Sequence, residues 1–227
     1  MNDLTDDIKD EKQVKTKKRV TDHGEVFTAQ REVNSMLELV KQETERIDSR
    51  FLEPACGTGN FLVEILKRKL AIVENRYSKN QLEYERYAIL ALSSIYGVDI
   101  LQDNVQTCRD RLLGAFTHYY LKNYKKKFKP ECLKAAEFIL SRNILWGDAL
   151  NLKIPDKEAK PIIFSEWSAV NGSLIKRRDY TMANLLTSQP MEGLNLFSDL
   201  GDKAFIPTPV ADFPLIHFLK LGSDDSN

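Results

Sequence analysis

The sequence predicts an α/β fold with a mostly parallel sheet. Three observations carry this. Short β-rich segments alternate with longer helical patterns through the middle of the chain. Three of the candidate strands end on an acid, at Glu53, Asp99 and Asp148. A glycine turn, "EPACGTGNF", joins the first of them directly to a helical apolar pattern. In such sheets a ligand sits beyond the carboxyl ends of the strands.

Taken in order, residues 1–20 are polar and predict a flexible arm closed by the basic run Lys15–Arg19. That run reads as a solvated tail or as a phosphate contact. Val33, Met36, Leu37 and Val40 fall at helical spacing, which predicts a helix from about Gln30 to about Glu45 with Thr28 as its N-cap. "RFLEPA" predicts a strand, "CGTG" a turn and "NFLVEILKRKLAIVENRY" a helix. "QLEYERYAILALSSI" continues as a helix, and "YGVDI" as a strand ending at Asp99. Val105, Leu112, Leu113 and Phe116 mark the next helix, and "ECLKAAEFILSR" a further one. "NILWGDAL" predicts a strand ending at Asp148, and "PIIFSEW" a fourth. "KRRDYTMANLL" reads as a short helix, and the proline-rich "PVADFPLIHFLKL" as a loop with a short terminal element.

Composition narrows the classes. The 227 residues suffice for one sizeable core. Lys+Arg and Asp+Glu are both 33, so bulk charge selects neither for nor against nucleic acid. Cys56, Cys108 and Cys132 are odd in number and widely spaced, and three histidines lie far apart, so neither a disulfide framework nor a metal site is expected. The charged N-terminus is unlike a signal peptide, and no apolar run is long enough to span a bilayer. The expectation is a soluble, cytoplasmic protein without membrane partners.

The turn has a physical logic. Gly57 and Gly59 permit positive φ and close approach of the backbone to a ligand, and the following helix offers its free N–H groups. G-x-G without a third glycine does not fit the dinucleotide pattern, and the absence of G-K-[ST] excludes a phosphate P-loop. A carboxylate after the second strand can accept from a ribose diol, and one after the third from an adenine amine.

"GEVFTA", "FLEPACGTGNFL" and "YGVDI", in this order, resemble the cofactor motifs of adenine-specific, amino-methylating DNA methyltransferases of bacterial restriction–modification systems. The resemblance covers about Val20 to Leu150. It implies a Rossmann-like sheet with helices on both faces and S-adenosylmethionine as cofactor. Phe27 and Thr28 would meet its methionine end, with the turn of Glu53, Ala55, Gly57 and Gly59 beneath. Asp99 would hold the ribose, with Val98 and Ile100 flanking the adenine. Asp148 would bond the adenine amine beside Ala149. Where the family usually has proline, this chain has Ala29.

The family's chemistry lies in an Asn/Asp/Ser-Pro-Pro-aromatic motif after the fourth strand. Its polar groups accept from the target amine, and its ring stacks on the flipped base. This chain has no Pro-Pro pair and offers Ser165, Glu166 and Trp167 as candidate catalytic residues. Three readings follow: a divergent active enzyme on DNA, a cofactor-binding subunit without transfer, or one part of a split enzyme. The last two imply a specificity subunit or a second methyltransferase chain as partner. Residues 21–175 would form the methyltransferase-like domain and 176–227 an extension completing or flanking the sheet. "KNYKKKFK" and "KRRDY" are candidate phosphate contacts, or else solvated charge runs.

Overall fold

A computed structural model describes residues 16–23, 25–187 and 208–223. Most of the N-terminal arm, including Lys15, lies outside these residues. So do Gly24 and Pro207. Among the described residues, the fold is mixed α/β with two sheets. β1 (Phe51–Glu53), β2 (Ile95–Asp99) and β3 (Ile144–Trp146) form a parallel sheet in the order β1-β2-β3. Phe51 aligns with Ile95, and Asp99 with Trp146, so the carboxyl ends of all three strands lie together.

Parallel neighbours require long crossovers, and each is made of two helices. α4 (Asn60–Tyr77) and α5 (Gln81–Ser93) connect β1 to β2. α6 (Gln102–Tyr124) and α7 (Pro130–Asn143) connect β2 to β3. Local chemistry sets their limits. The Asn80 side chain accepts from the Glu83 N–H and caps α5, while Pro130 opens α7 where no N–H is needed. Leu66, Leu70, Ala88, Leu92, Leu112, Phe116, Ala135 and Ile139 from these four helices share one core. Lys69 is buried in it, fully covered, and donates to the carbonyls of Ile47 and Ser49 and to Ser94 Oγ.

Upstream lie α1 (Lys17–His23), α2 (Gln30–Glu38) and α3 (Lys41–Thr44). The expected single helix to Glu45 is broken at Leu39–Val40, where Val40 is non-helical (φ −119°, ψ 29°). Val33 and Leu37 are buried, whereas Met36 and Val40 are exposed, so the apolar face ends before the break. The N-cap of α2 is Ala29, not Thr28, and the Glu32 carboxylate reaches back to accept from the Ala29 N–H at 3.3 Å.

The "PIIFSEW" strand forms as β4 (Ile163–Ala169), but outside the parallel sheet. It pairs antiparallel with β5 (Leu174–Thr181), which also pairs with β6 (Ala211–Asp212) and β7 (Ile216–His217). "KRRDYT" is therefore strand, and only α8 (Met182–Thr187) is helical in that stretch. The sequence held a signal for this hairpin. Asn171-Gly172, with Gly172 at φ 63°, turns between two runs of alternating burial. The expected boundary at residue 175 falls inside β5. Phe164, Ile162 and Met182 cover the face of β2 that carries Tyr96 and Val98, with the Phe164 and Tyr96 rings edge to face at 5.5 Å.

Candidate functional site

A cavity of about 680 Å³ opens beyond the carboxyl ends of β1, β2 and β3. Its floor is the turn after β1. The Cys56 N–H donates to Val98 O at 2.9 Å and the Gly59 N–H to Cys56 O at 2.8 Å, which ties the turn to β2 and curls it into α4. Gly57 (φ 52°) and Gly59 (φ 88°) both occupy left-handed backbone. Space also excludes a side chain at Gly59, where a Cβ would come within 2.6 Å of Cys108 Sγ on α6. Cys56 lines the floor, and its thiol is pushed up by its hydrogen bond with Cys108 and by burial. It is a protonated packing group rather than a nucleophile.

Four carboxylates surround the cavity, from Glu25, Glu53, Asp99 and Asp148, and among the described residues no Lys, Arg or His lines it. Asp99 ends β2 and is 8 % exposed. Its Oδ2 accepts from the Gly57 N–H at 2.8 Å, and its Oδ1 from the Leu101 N–H at 2.8 Å and Asn104 Nδ2 at 3.3 Å. One carboxylate thus fixes the glycine turn and the start of α6 while keeping a lone pair on Oδ2. Asp148 holds its own turn, accepting from the N–H groups of Leu150 and Asn151 and from Asn151 Nδ2. Glu53 differs. No cationic side chain among the described residues pairs with it, and burial pushes its carboxyl up against the opposing Ala55 N–H. A desolvated acid of this kind is matched by a ligand cation.

The remaining wall is the strap Glu25–Ala29 ahead of α2. Phe27 packs on Gly57, whose Cβ, if present, would meet the ring at 3.2 Å. Asn60 at the start of α4 donates to Thr28 O at 2.9 Å, and Arg111 of α6 holds both Asn60 Oδ1 and Thr58 O. Asn104, 1 % exposed, donates to Glu25 Oε1 at 2.7 Å as well as to Asp99.

Of the residues that the resemblance assigns to a cofactor, Phe27, Thr28, Glu53, Ala55, Gly57, Asp99, Ile100, Asp148 and Ala149 line the cavity. Gly59 lies outside the lining and acts through backbone shape. Glu25, Asn60, Phe61 and Asn104 line it without having been singled out. Asn60 was within reach, since it directly follows the glycine turn.

Ser165, Glu166 and Trp167 do not line this cavity. Ser165 Oγ donates to Asp179 Oδ1 at 2.7 Å and accepts from Arg177 Nε at 3.1 Å. Trp167 is 4 % exposed, its Nε1 donates to Asn143 Oδ1 at 2.9 Å, and its ring packs edge-on against Phe138. A ring enclosed in this way has no face for a base. Glu166 forms an ion pair with Arg50 at 2.6 Å. Ser165 and Trp167 have structural partners in the hairpin and on α7, and Glu166 has one ahead of β1. Trp146, in contrast, lies near the cavity and donates from Nε1 to Ile100 O at 3.0 Å.

No helix among the described residues is long and apolar enough to cross a membrane. Comparison with protein-family models, with curated proteins and with solved structures gives no match for this chain.

Proposed function

We propose that the cavity binds S-adenosylmethionine and that the chain is a DNA-adenine methyltransferase-like protein of a restriction–modification system. The observation that carries this reading is a cavity at the strand ends with four carboxylates, of which Glu25 is ion-paired with Arg19, and with no Lys, Arg or His among the described residues of its lining. Phosphorylated nucleotides would be repelled there. A nucleoside bearing a sulfonium and an ammonium group has the right donors and charge. Glu53 would face the positive methionine end, Asp99 the ribose diol and Asp148 the adenine amine. The volume suits a ligand of that size. The mixed α/β frame is compatible with a Rossmann-like sheet.

The placement of Ser165, Glu166 and Trp167 favours the cofactor-binding subunit or split-enzyme form of this reading. A partner chain would then supply the base-holding residues and target recognition. Tritiated methyl transfer to unmethylated DNA tests this directly. The expectation is no transfer by the isolated chain and transfer once the partner is added. Transfer by the isolated chain that survives Trp167→Phe would overturn the split form but not the cofactor site. Failure to retain labelled S-adenosylmethionine in equilibrium dialysis would overturn the cofactor site itself.

A further inference from the structure

We infer that Arg19 is a positioning residue, a latch that holds the strap closed over the cavity and thereby sets how fast a ligand leaves. The inference rests on the cofactor reading of the cavity, but one arm of its test does not.

The strap supplies Glu25, Val26, Phe27 and Thr28 to the cavity wall. Its two ends are held differently. At Thr28 it is tied to the first turn of α4 through Asn60, which Arg111 braces in turn. At Glu25 it is tied to α1 and α6. Arg19 Nη2 donates to Glu25 Oε1 at 2.9 Å, and Arg19 Nε lies 2.7 Å from Glu25 Oε2. The same guanidinium grips Asp103 in the first turn of α6, with Nη1 to Oδ2 at 2.7 Å and Nη2 to Oδ1 at 3.1 Å. It also reaches Asn104 Oδ1 at 3.3 Å.

One planar cation therefore bridges the strap to the helix that carries the Asp99 partner Asn104. A bidentate guanidinium suits this work, whereas a lysine ammonium, as a point charge, cannot span both acids in the same geometry. Without it, Glu25, Asp99 and Asp103 would crowd Asn104 as three like charges, two of them in buried side chains, and repel the strap outwards. Opening breaks the Asn104–Glu25 hydrogen bond and lifts Phe27 from Gly57. Val26 on the strap is 59 % exposed, so it loses little apolar burial when the Glu25 end opens. Thr28–Ala29, anchored by Asn60, is the hinge.

The test compares wild type, Arg19→Ala and Arg19→Lys in two measurements. Hydrogen exchange of the ligand-free protein follows the amides of Glu25–Thr28 against those of α4. Stopped-flow tryptophan fluorescence follows dissociation of S-adenosylmethionine. For Arg19→Ala, strap exchange and ligand dissociation should both accelerate on the order of tenfold, with exchange of the α4 amides as in wild type. Arg19→Lys should fall between. Unchanged strap exchange in Arg19→Ala overturns the latch, and so does faster exchange with an unchanged dissociation rate. If wild type does not bind S-adenosylmethionine, the cofactor reading fails, and exchange alone decides the latch: faster exchange upholds it and unchanged exchange overturns it.

Discussion

At the scale of single residues, the buried Lys69 and the half-buried Glu53 each carry a pH dependence. Lys69 is fully covered inside α4, and burial lowers its pKa to about 7. The unfolded chain holds that proton up to the ordinary lysine range, so stability rises with pH between about 7 and 10.5. The Lys69 contribution to that rise is on the order of 3–5 kcal/mol. Urea unfolding from pH 7 to 9.5 should give a steeper rise for wild type than for Lys69→Met; parallel curves would contradict a lowered Lys69 pKa. Glu53 acts on binding instead. Its carboxyl is raised in the free protein, and a bound cation would favour the charged form. Cofactor affinity should therefore weaken as pH falls through the Glu53 range, and Glu53→Gln should remove that dependence while weakening neutral-pH binding by about 1.5–3 kcal/mol. A mutant with the wild-type pH profile would exclude this role. Residues such as Gly57, Gly59 and Asp99 were legible in sequence because their roles follow from backbone shape and a strand end. Glu25 and Asn104 were not, since their pairing spans 79 positions and only the fold brings them together.

At the scale of elements, the β4–β5 hairpin is anchored by buried side chains and lies outside the cavity lining. Arg177, 5 % exposed, pairs with Asp179 through Nε at 2.9 Å and Nη2 at 2.7 Å. Its guanidinium lies 3.9 Å from the Phe213 ring centroid and 5.5 Å from that of Phe138. Asp179→Ala would leave this cation buried and unpaired, and should lower stability by about 3–5 kcal/mol in denaturant titration. Trp167→Phe removes one hydrogen bond to Asn143, at about 0.5–1.5 kcal/mol, and should leave cofactor affinity as in wild type. A tenfold loss of affinity in Trp167→Phe would return the tryptophan to the site. The strand character of Ile163–Ala169 was readable from its composition, but its partner was not, because "FSEW" alone does not distinguish parallel from antiparallel neighbours. Asn171-Gly172 does, and its position between the two runs was the missed signal. The α2 break at Val40 had no comparable marker, for its apolar spacing continues through the turn.

At the scale of the whole molecule, one end of the parallel sheet gathers turns from three strands, a strap and the starts of two helices around an acidic cavity. The order β1-β2-β3 follows from paired helical crossovers that share a single core, and the antiparallel sheet covers the face of β2 that they leave. That architecture explains why residues from Glu25 to Leu150 meet in one place. It also sets the electrostatics of the cavity: Glu53, Asp99 and Asp148 have no ion-pair partner among the described residues, and Glu25 is paired with Arg19. Isothermal titration calorimetry with S-adenosylmethionine and with ATP, on wild type and Asp99→Ala, tests this most directly. The account predicts binding of S-adenosylmethionine but not of ATP, with Asp99→Ala weaker by at least ~1–3 kcal/mol because the ligand and the Gly57 turn both lose an acceptor. No heat of binding at millimolar S-adenosylmethionine, or equal binding of ATP, would contradict it.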